Sequence, residues 1–251
     1  MESFLYYGKK RERKEVESHN DAILSGYRQK QNERVTTVLG MVEGNDVLDV
    51  GCAAGTISRM MAENGFNVLG IDRVEEYVKV SIEFNTVPNI SFELRDVLEV
   101  PFPSESFDCI TFLETIEHVE NPSQFLKEYH RILRPGGHLI ISTPNATSLK
   151  NFLYALSYRK REKRKNIITS ISKEPQFTGT QLEHISNWDF PTIVRLLDKS
   201  GFEIVEHKFT RAGPIIIPIL GRRVKIIGGD SKILNGFEPL KTTHVIKCKK
   251  K

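Results

Sequence analysis

Two carboxylates and one imidazole follow directly after a strand-like apolar run, and together they could bind a metal ion. The run 109–113 leads into Glu114, and Glu117 and His118 come three and four residues later. If a helical turn begins at Glu114, the three side chains share one face. Mg²⁺, Mn²⁺ or Zn²⁺ would suit such ligands and would polarise a substrate hydroxyl. His184, just before a later helical segment, is a candidate fourth ligand.

The same residues also have a metal-free interpretation. His118, with Glu117 beside it, could act as the general base that removes a proton from a hydroxyl group. Glu114 would then contact a bound cofactor at the end of the strand. A purely structural role for all three residues is the third alternative, and the sequence leaves the choice open.

A glycine-containing turn after the first predicted strand is typical of a nucleotide site. It spans residues 49–55, DVGCAAG, and glycine lets the backbone approach a ligand closely at the start of a helix. Asp72 ends the second predicted strand about twenty residues after Gly51, where an acid would bind ribose hydroxyls. Asp96 ends the third strand, where a carboxylate could reach an adenine amine.

Strand-like and helix-like segments alternate from residue 46 to residue 144, which predicts a mostly parallel sheet with helices on both faces. The predicted strands are 46–51, 67–72, 90–96, 107–113 and 138–144, and the predicted helices are 56–65, 74–84 and 122–133. Ligands bind at the carboxyl ends of the strands in such sheets. The turn at 49–55, Asp72, Asp96 and Glu114 lie at these ends.

The rest of the chain predicts a helical cap and two interruptions. Residues 1–40 read as a helical N-terminal cap, and 41–251 as a single domain. Within that domain, 146–183 is a basic amphipathic insertion and 210–242 an irregular apolar and basic segment. A helix over 190–202, a strand over 203–209 and a last strand over 243–250 complete the prediction.

Four segments together resemble the class I S-adenosylmethionine-dependent methyltransferases. They read VLDVGCAAG, VLGID, LRDVLEVPFPSESFDCITFLETIEHV and RILRPGGHLIISTPN, and the resemblance covers 46–145 and, more loosely, 184–209. It implies S-adenosylmethionine as cofactor and a Rossmann-like, doubly wound α/β fold whose seven-stranded sheet has an antiparallel last strand. A nicotinamide-dependent dehydrogenase is the alternative class of protein that this topology fits. Ala53 departs from the family's usual D-x-G-x-G-x-G turn and narrows the space over the cofactor.

The resemblance also assigns residues to the cofactor. The turn after the first strand passes under the methionine part, and the acids that end the second and third strands hold the ribose and flank the adenine. The residues implied are Asp49, Gly51, Ala53, Gly55, Asp72, Arg73, Asp96, Val97, Leu113 and Glu114.

The pattern E-x-x-E-H with a later histidine is similar to two branches of this family. One holds the ubiquinone-pathway O-methyltransferases, in the methyltransferase type 11 and type 23 group, which act on catechol-like rings. The other holds small-RNA 2′-O-methyltransferases, in which these residues hold a metal against vicinal hydroxyls.

Basic residues cluster beside apolar residues in the predicted insertion. Apolar residues at helical spacing over 149–156 precede six basic residues within 159–165, and GPIIIPILGRR at 213–223 repeats the combination. This is typical of contact with an anionic membrane surface. A lid with a solvated charged tail and nucleic-acid binding are the alternatives.

Composition limits the class of protein. The chain has 251 residues, a net charge of +4 and three cysteines without a C-x-x-C spacing. These features exclude a histone-like polycation and a cysteine zinc site, and they favour a reducing compartment. No apolar run reaches the length of a membrane span. We therefore expect a cytoplasmic protein, with peripheral membrane contact as a further possibility.

The sequence as a whole predicts an S-adenosylmethionine-dependent methyltransferase. Its expected acceptor is a hydroxyl on a small, lipid-linked or glycan-linked molecule. The alternatives are a metal-assisted RNA 2′-O-methyltransferase and a non-catalytic cofactor-binding interaction protein. The sequence carries no signal for the oligomeric state.

Overall fold

The structure, a computed structural model, describes residues 33–83, 87–148, 186–210, 215–219, 222–227 and 241–251. The strands are β1 (Asp46–Val50), β2 (Asn67–Asp72), β3 (Ile90–Leu94), β4 (Phe107–Leu113), β5 (Leu133–Pro144), β6 (Phe202–Thr210), β7 (Ile215–Ile219), β8 (Arg222–Ile227) and β9 (Thr243–Lys250). The helices are α1 (Glu33–Met41), α2 (Thr56–Glu63), α3 (Glu75–Glu83), α4 (Pro122–Ile132) and α5 (Phe190–Lys199), with a 3-10 helix over Ile116–His118.

Seven of these strands form one sheet in the order β3-β2-β1-β4-β5-β9-β6. β1 pairs in parallel with β2 on one side and β4 on the other. The chain therefore reverses its direction of travel across the sheet between these neighbours, and a crevice forms at the carboxyl ends of such strands. β9 runs antiparallel to both β5 and β6. The predicted doubly wound sheet with an antiparallel last strand is confirmed.

Helices cover both faces of the sheet, as the alternation of segments predicts. On one face, α4 and α5 bury residues such as Leu126 and Ile193 against the strands. On the other, α1 and α2 bury residues such as Met41 and Met61. β1 and β4 are buried along nearly their whole length, as central strands covered on both faces are. The packed core thus fixes the strand ends that carry the candidate residues.

The predicted cap and the two predicted interruptions of the domain can be compared with the structure in part. The segment 210–242 was predicted to be irregular, which is wrong in part, because β7 and β8 pair within it as an antiparallel hairpin. Of the predicted N-terminal cap, 33–40 is helical within α1. The rest of the cap and nearly all of the insertion 146–183 lie outside the described residues. In the ranges that are described, no helix is both long enough and apolar enough to cross a membrane.

Candidate active site

The turn between β1 and α2 has a backbone that leaves little room for side chains. Gly51, Ala53 and Gly55 have positive φ angles of 73°, 48° and 75°, a region that favours glycine. A Cβ atom on Gly51 would lie 2.7 Å from Thr115 Oγ1. The turn is therefore closely packed against the segment that follows β4.

Asp72, at the end of β2, holds this turn from the other side. Its Oδ2 accepts a hydrogen bond from the Ala53 N–H at 2.9 Å, and its Oδ1 accepts one from the Val74 N–H at 2.9 Å. Burial raises the pKa of Asp72, while these backbone bonds and the charge of Arg73 act in the opposite direction. The residue is partly exposed, so its remaining acceptor capacity can receive ribose hydroxyls.

Asp49 is buried at the end of β1 and joins neighbouring elements. Its two carboxylate oxygens accept hydrogen bonds from the hydroxyls of Ser58 at 2.5 Å and Thr111 at 2.7 Å. Burial raises the pKa of Asp49, and the two hydroxyls oppose that shift. Both oxygens thus bind protein hydroxyls, and Asp49 connects the end of β1 to α2 and to β4.

Asp96 and Arg73, predicted to border adenine and ribose, meet in the structure. Arg73 Nε lies 3.1 Å from Asp96 Oδ2, and the other oxygen of Asp96 accepts the Leu98 N–H at 2.9 Å. Val97, which lies between Asp96 and Leu98 in the sequence, is buried. The ends of β2 and β3 are therefore tied together where a nucleoside would lie.

Glu114 leaves the end of β4 with a left-handed backbone, φ 49°. Its N–H donates to the Ser142 carbonyl at 2.8 Å, and the Ser142 hydroxyl donates to its Oε1 at 2.9 Å. The predicted helical turn from Glu114 is wrong, because the 3-10 helix begins only at Ile116. Leu113 before it is buried, so the partly exposed Glu114 is the residue that faces the cleft rim.

Arg34 of α1 belongs to this group, although sequence reasoning missed it. Its Nη1 lies 3.7 Å from Glu114 Oε1 and 3.5 Å from Ser142 Oγ. Both contacts of the guanidinium with described residues use Nη1. No local motif around Arg34 signals a role, because its partners are far away in the sequence.

Glu117 and His118 occupy the 3-10 helix with different exposure. Glu117 is 1% exposed and accepts a hydrogen bond from the Thr143 hydroxyl at 3.0 Å. Burial and the nearby Glu114 carboxylate raise the pKa of Glu117 to about 8, while Arg34 acts in the opposite direction. His118 is partly exposed. Two consecutive residues of this short helix are thus a buried acid and a partly exposed imidazole.

The structure does not support the predicted metal site. Across the described ranges, no group of three or more His, Cys, Asp or Glu side chains could hold an ion. Glu114 lies outside the helical turn that was expected to align it with Glu117 and His118. His184 lies outside the described residues. Ser186, two residues further along the chain, donates its backbone N–H to the Glu117 carbonyl at 3.2 Å.

The chemistry of this edge of the sheet fits S-adenosylmethionine. Asp72 and Asp96 carry carboxylate oxygens, the kind of acceptor that suits ribose hydroxyls and an adenine amine. Glu114 and Arg34 supply one negative and one positive group for an amino-acid zwitterion. Together with the sheet order, these features define a class I S-adenosylmethionine-dependent methyltransferase.

Comparison with known proteins agrees with this class. The sequence profile of a family described as "methyltransferase domain" matches residues 24–207, and the chain belongs to that family. The chain is 34% identical over 116 residues to a ubiquinone biosynthesis O-methyltransferase of Pseudomonas aeruginosa (strain UCBPP-PA14), which covers 45% of this chain and 50% of the relative. The chain thus spans about half the length of the curated relatives it matches.

Two solved structures show the same fold. A complex between a Haloferax volcanii methyltransferase activator and a methyltransferase matches with a TM-score of 0.62 at 17% identity, covering 95% of this chain and 96% of that chain. An S-adenosylmethionine-dependent methyltransferase from Methanosarcina mazei matches with a TM-score of 0.57 at 22% identity, covering 85% and 96%. At these identities the likeness concerns the fold alone.

Proposed function

We propose that this methyltransferase transfers a methyl group to a hydroxyl oxygen of a small, lipid-linked or glycan-linked acceptor. The observation that carries the proposal is the pair of Glu117 and His118 at the carboxyl end of β4, beside the cofactor residues. An acceptor hydroxyl must lose its proton there. The O-methyltransferase named among the relatives supports an oxygen acceptor.

His118 is the residue that takes this proton. S-adenosylmethionine supplies a methyl group already activated by its sulfonium, so orientation and proton removal are what the chain must contribute. Imidazole is the commonest general base in enzymes, and His118 is partly exposed toward solvent. Burial raises the pKa of Glu117, the preceding residue, to about 8, which favours its uncharged form.

Arg34 and Glu114 bind the amino-acid end of the cofactor. The α-ammonium group pairs with Glu114, and the α-carboxylate accepts the guanidinium N–H groups that Arg34 has free of described partners. The Arg34–Glu114 separation of 3.7 Å is longer than a direct hydrogen bond. The ligand's two charges can therefore insert with little loss of existing contacts.

The test is methyl transfer by the purified full chain from methyl-labelled S-adenosylmethionine. Acceptors are catechol, a prenylated phenol, a methyl glycoside and a short RNA, and mass spectrometry locates the label. We expect an ether product and a fall in kcat of about 10²-fold or more in His118→Asn. His138→Asn, the same change in the middle of β5 where His138 pairs with Lys249, is the matched control.

Two results would contradict the proposal. One is label found solely on nitrogen or carbon, and the other is an unchanged kcat in His118→Asn. Repeating the assay with a chelator also tests the predicted metal site. A loss of rate that Mg²⁺, Mn²⁺ or Zn²⁺ restores would reinstate that site.

A further inference from the structure

The residue that follows β4 is held by a buried serine of the neighbouring strand, Ser142 of β5. In the parallel pairing of these strands, Ser142 stands opposite Leu113, the last residue of β4. Ser142 is 0% exposed, whereas the side chain of the next residue, Glu114, keeps 31% of its exposure. A ligand in the cleft can therefore contact Glu114 directly, and Ser142 can act on that ligand only through its neighbours.

The Ser142 hydroxyl spends its whole hydrogen-bonding capacity on two residues of the site. It donates to Glu114 Oε1 at 2.9 Å, and it accepts from the Glu114 N–H at 3.2 Å and from Arg34 Nη1 at 3.5 Å. A serine hydroxyl has one proton to donate and two lone pairs that accept. Because the two N–H groups occupy the lone pairs, the hydroxyl proton is directed at the carboxylate.

Glu114 keeps this geometry in spite of an unfavourable backbone conformation. Its φ of 49° is left-handed, which costs energy in any residue that has a Cβ atom. The Ser142 carbonyl accepts the Glu114 N–H at 2.8 Å, so one residue of β5 binds both the backbone and the carboxylate of Glu114. Such strained residues persist where surrounding contacts hold them, and they cluster at functional sites. Ser142 thus sets the direction in which Glu114 leaves the strand.

The next residue of β5, Thr143, binds a different carboxylate. Its hydroxyl donates to Glu117 at 3.0 Å, and successive side chains of a strand point to opposite faces of the sheet. The two neighbouring hydroxyls therefore hold different acids, Ser142 the partly exposed Glu114 and Thr143 the buried Glu117. A substitution at Ser142 can alter the orientation of Glu114 without removing the hydroxyl that Glu117 binds.

We propose that Ser142 is a positioning residue for cofactor binding, whose hydroxyl orients the Glu114 carboxylate toward the α-ammonium group of S-adenosylmethionine. The inference rests on the proposed function, in which Glu114 pairs with that group. A carboxylate that is held in place before the ligand arrives loses little freedom on binding, so more of the attraction contributes to affinity. Without the hydroxyl, the Glu114 side chain must be ordered by the ligand itself, and the affinity falls.

The test compares two ligands that differ only in the α-amino group. They are S-adenosylhomocysteine and its analogue without that group, and calorimetric titration of the full chain gives both affinities. We expect Ser142→Ala to weaken S-adenosylhomocysteine about tenfold and to leave the analogue unchanged, which also shows that the variant is folded. Ser142→Cys, whose thiol is a weak donor, should cause a smaller loss. The control, Ser200→Ala, removes a buried hydroxyl that donates to the Leu196 carbonyl in α5, and should bind both ligands like wild type.

Glu114→Ala separates this inference from the proposed function. It should weaken S-adenosylhomocysteine at least as much as Ser142→Ala does, and adding Ser142→Ala to it should change little, because no carboxylate is left to orient. Equal weakening of both ligands by Ser142→Ala, or additive effects of the two substitutions, would overturn the positioning role. If Glu114→Ala weakens binding and Ser142→Ala does not, that role is refuted and the proposed pairing of Glu114 with the cofactor stands. If neither substitution weakens binding, both fail.

Discussion

At the scale of single residues, Glu117 links the chemistry of the site to the stability of the fold. Its pKa is about 8 in the folded protein against an ordinary value of 4.5. Between these values the native state holds a proton that the unfolded state has lost. The free energy of unfolding therefore falls as the pH rises from about 4.5 to about 8.

We expect Glu117→Gln to remove this dependence, because glutamine does not titrate. The difference between wild type and variant should change by a few kcal/mol between pH 5 and pH 8, as one pKa unit corresponds to about 1.4 kcal/mol. Urea unfolding at both pH values measures it. Glu63→Gln, at an exposed i,i+4 ion pair, is the control. Parallel pH profiles for wild type and Glu117→Gln would show that burial does not raise this pKa.

The proposed pairing of Arg34 with the amino-acid end of the cofactor predicts the effect of its substitution. Arg34→Met should weaken S-adenosylmethionine by about 10- to 100-fold, the loss of a hydrogen bond to a charged group. Binding of methylthioadenosine, which lacks the amino-acid end, should be unchanged. Calorimetric titration measures both ligands, with Arg59→Met as the control because Arg59 makes an i,i+4 surface pair. An equal loss for both ligands would show that Arg34 acts through the fold.

Glu117 and Arg34 show the limit of what the sequence alone can predict about a site. Asp72 and Asp96 could be proposed from the sequence because Asp72 ends β2 and Asp96 follows β3 by two residues, and the apolar pattern of each strand is local. Arg34 could not, since Ser142, its hydrogen-bond partner, is 108 residues away. The burial of Glu117 depends on Thr143 and the β5 backbone in the same way. Contacts between distant segments set its pKa, and no local pattern encodes them.

At the scale of elements, alanine substitutions at two glycines can distinguish backbone strain from an effect on ligand binding by the β1–α2 turn. Gly51 and Gly65 have positive φ angles of 73° and 95°, so alanine is strained at both, by roughly 1 kcal/mol. A Cβ on Gly51 meets Thr115 Oγ1 at 2.7 Å, whereas nothing lies within 4 Å of a Cβ on Gly65. We expect both variants to lose thermal stability.

The two alanine variants should differ in cofactor binding. Gly51→Ala must move the turn or Thr115, and its affinity for S-adenosylhomocysteine should fall at least tenfold, about 1.4 kcal/mol. Gly65→Ala should bind like wild type. Thermal unfolding and calorimetric titration give the two quantities. Loss of affinity in both variants would mean that cofactor binding depends on the general stability of the fold and not on the geometry of this turn.

The elements also show where sequence patterns stop being informative. Alternating apolar segments fixed the predicted order of strands and helices from 46 to 144, because strand and helix periods are local properties. The left-handed backbone of Glu114 has no such signal, since glutamate seldom adopts it. Its hydrogen bonds to Ser142 stabilise that conformation, and they form only when β4 and β5 pair.

At the scale of the whole molecule, the distribution of charge predicts behaviour at a membrane surface. The net charge is only +4, yet six basic residues fall within 159–165, directly after an apolar stripe. Each basic residue near an anionic bilayer contributes about 1 kcal/mol. The sequence therefore predicts binding to anionic vesicles that weakens steeply with salt, because screening shortens the range of these charges.

Cosedimentation of the full chain with vesicles tests this prediction, with phosphatidylserine vesicles compared with phosphatidylcholine vesicles at low and high salt. Glutamine at the six basic positions of 159–165 should abolish binding to the anionic vesicles, because the charge beside the apolar stripe is lost. Glutamine at the five basic positions of 9–14 is the control and should reduce binding far less, since no comparable stripe lies beside them. Equal binding to both vesicle types would show that charge does not bring this enzyme to a membrane. Salt-sensitive binding to a short RNA, lost in the 159–165 variant, would assign the cluster to nucleic acid instead.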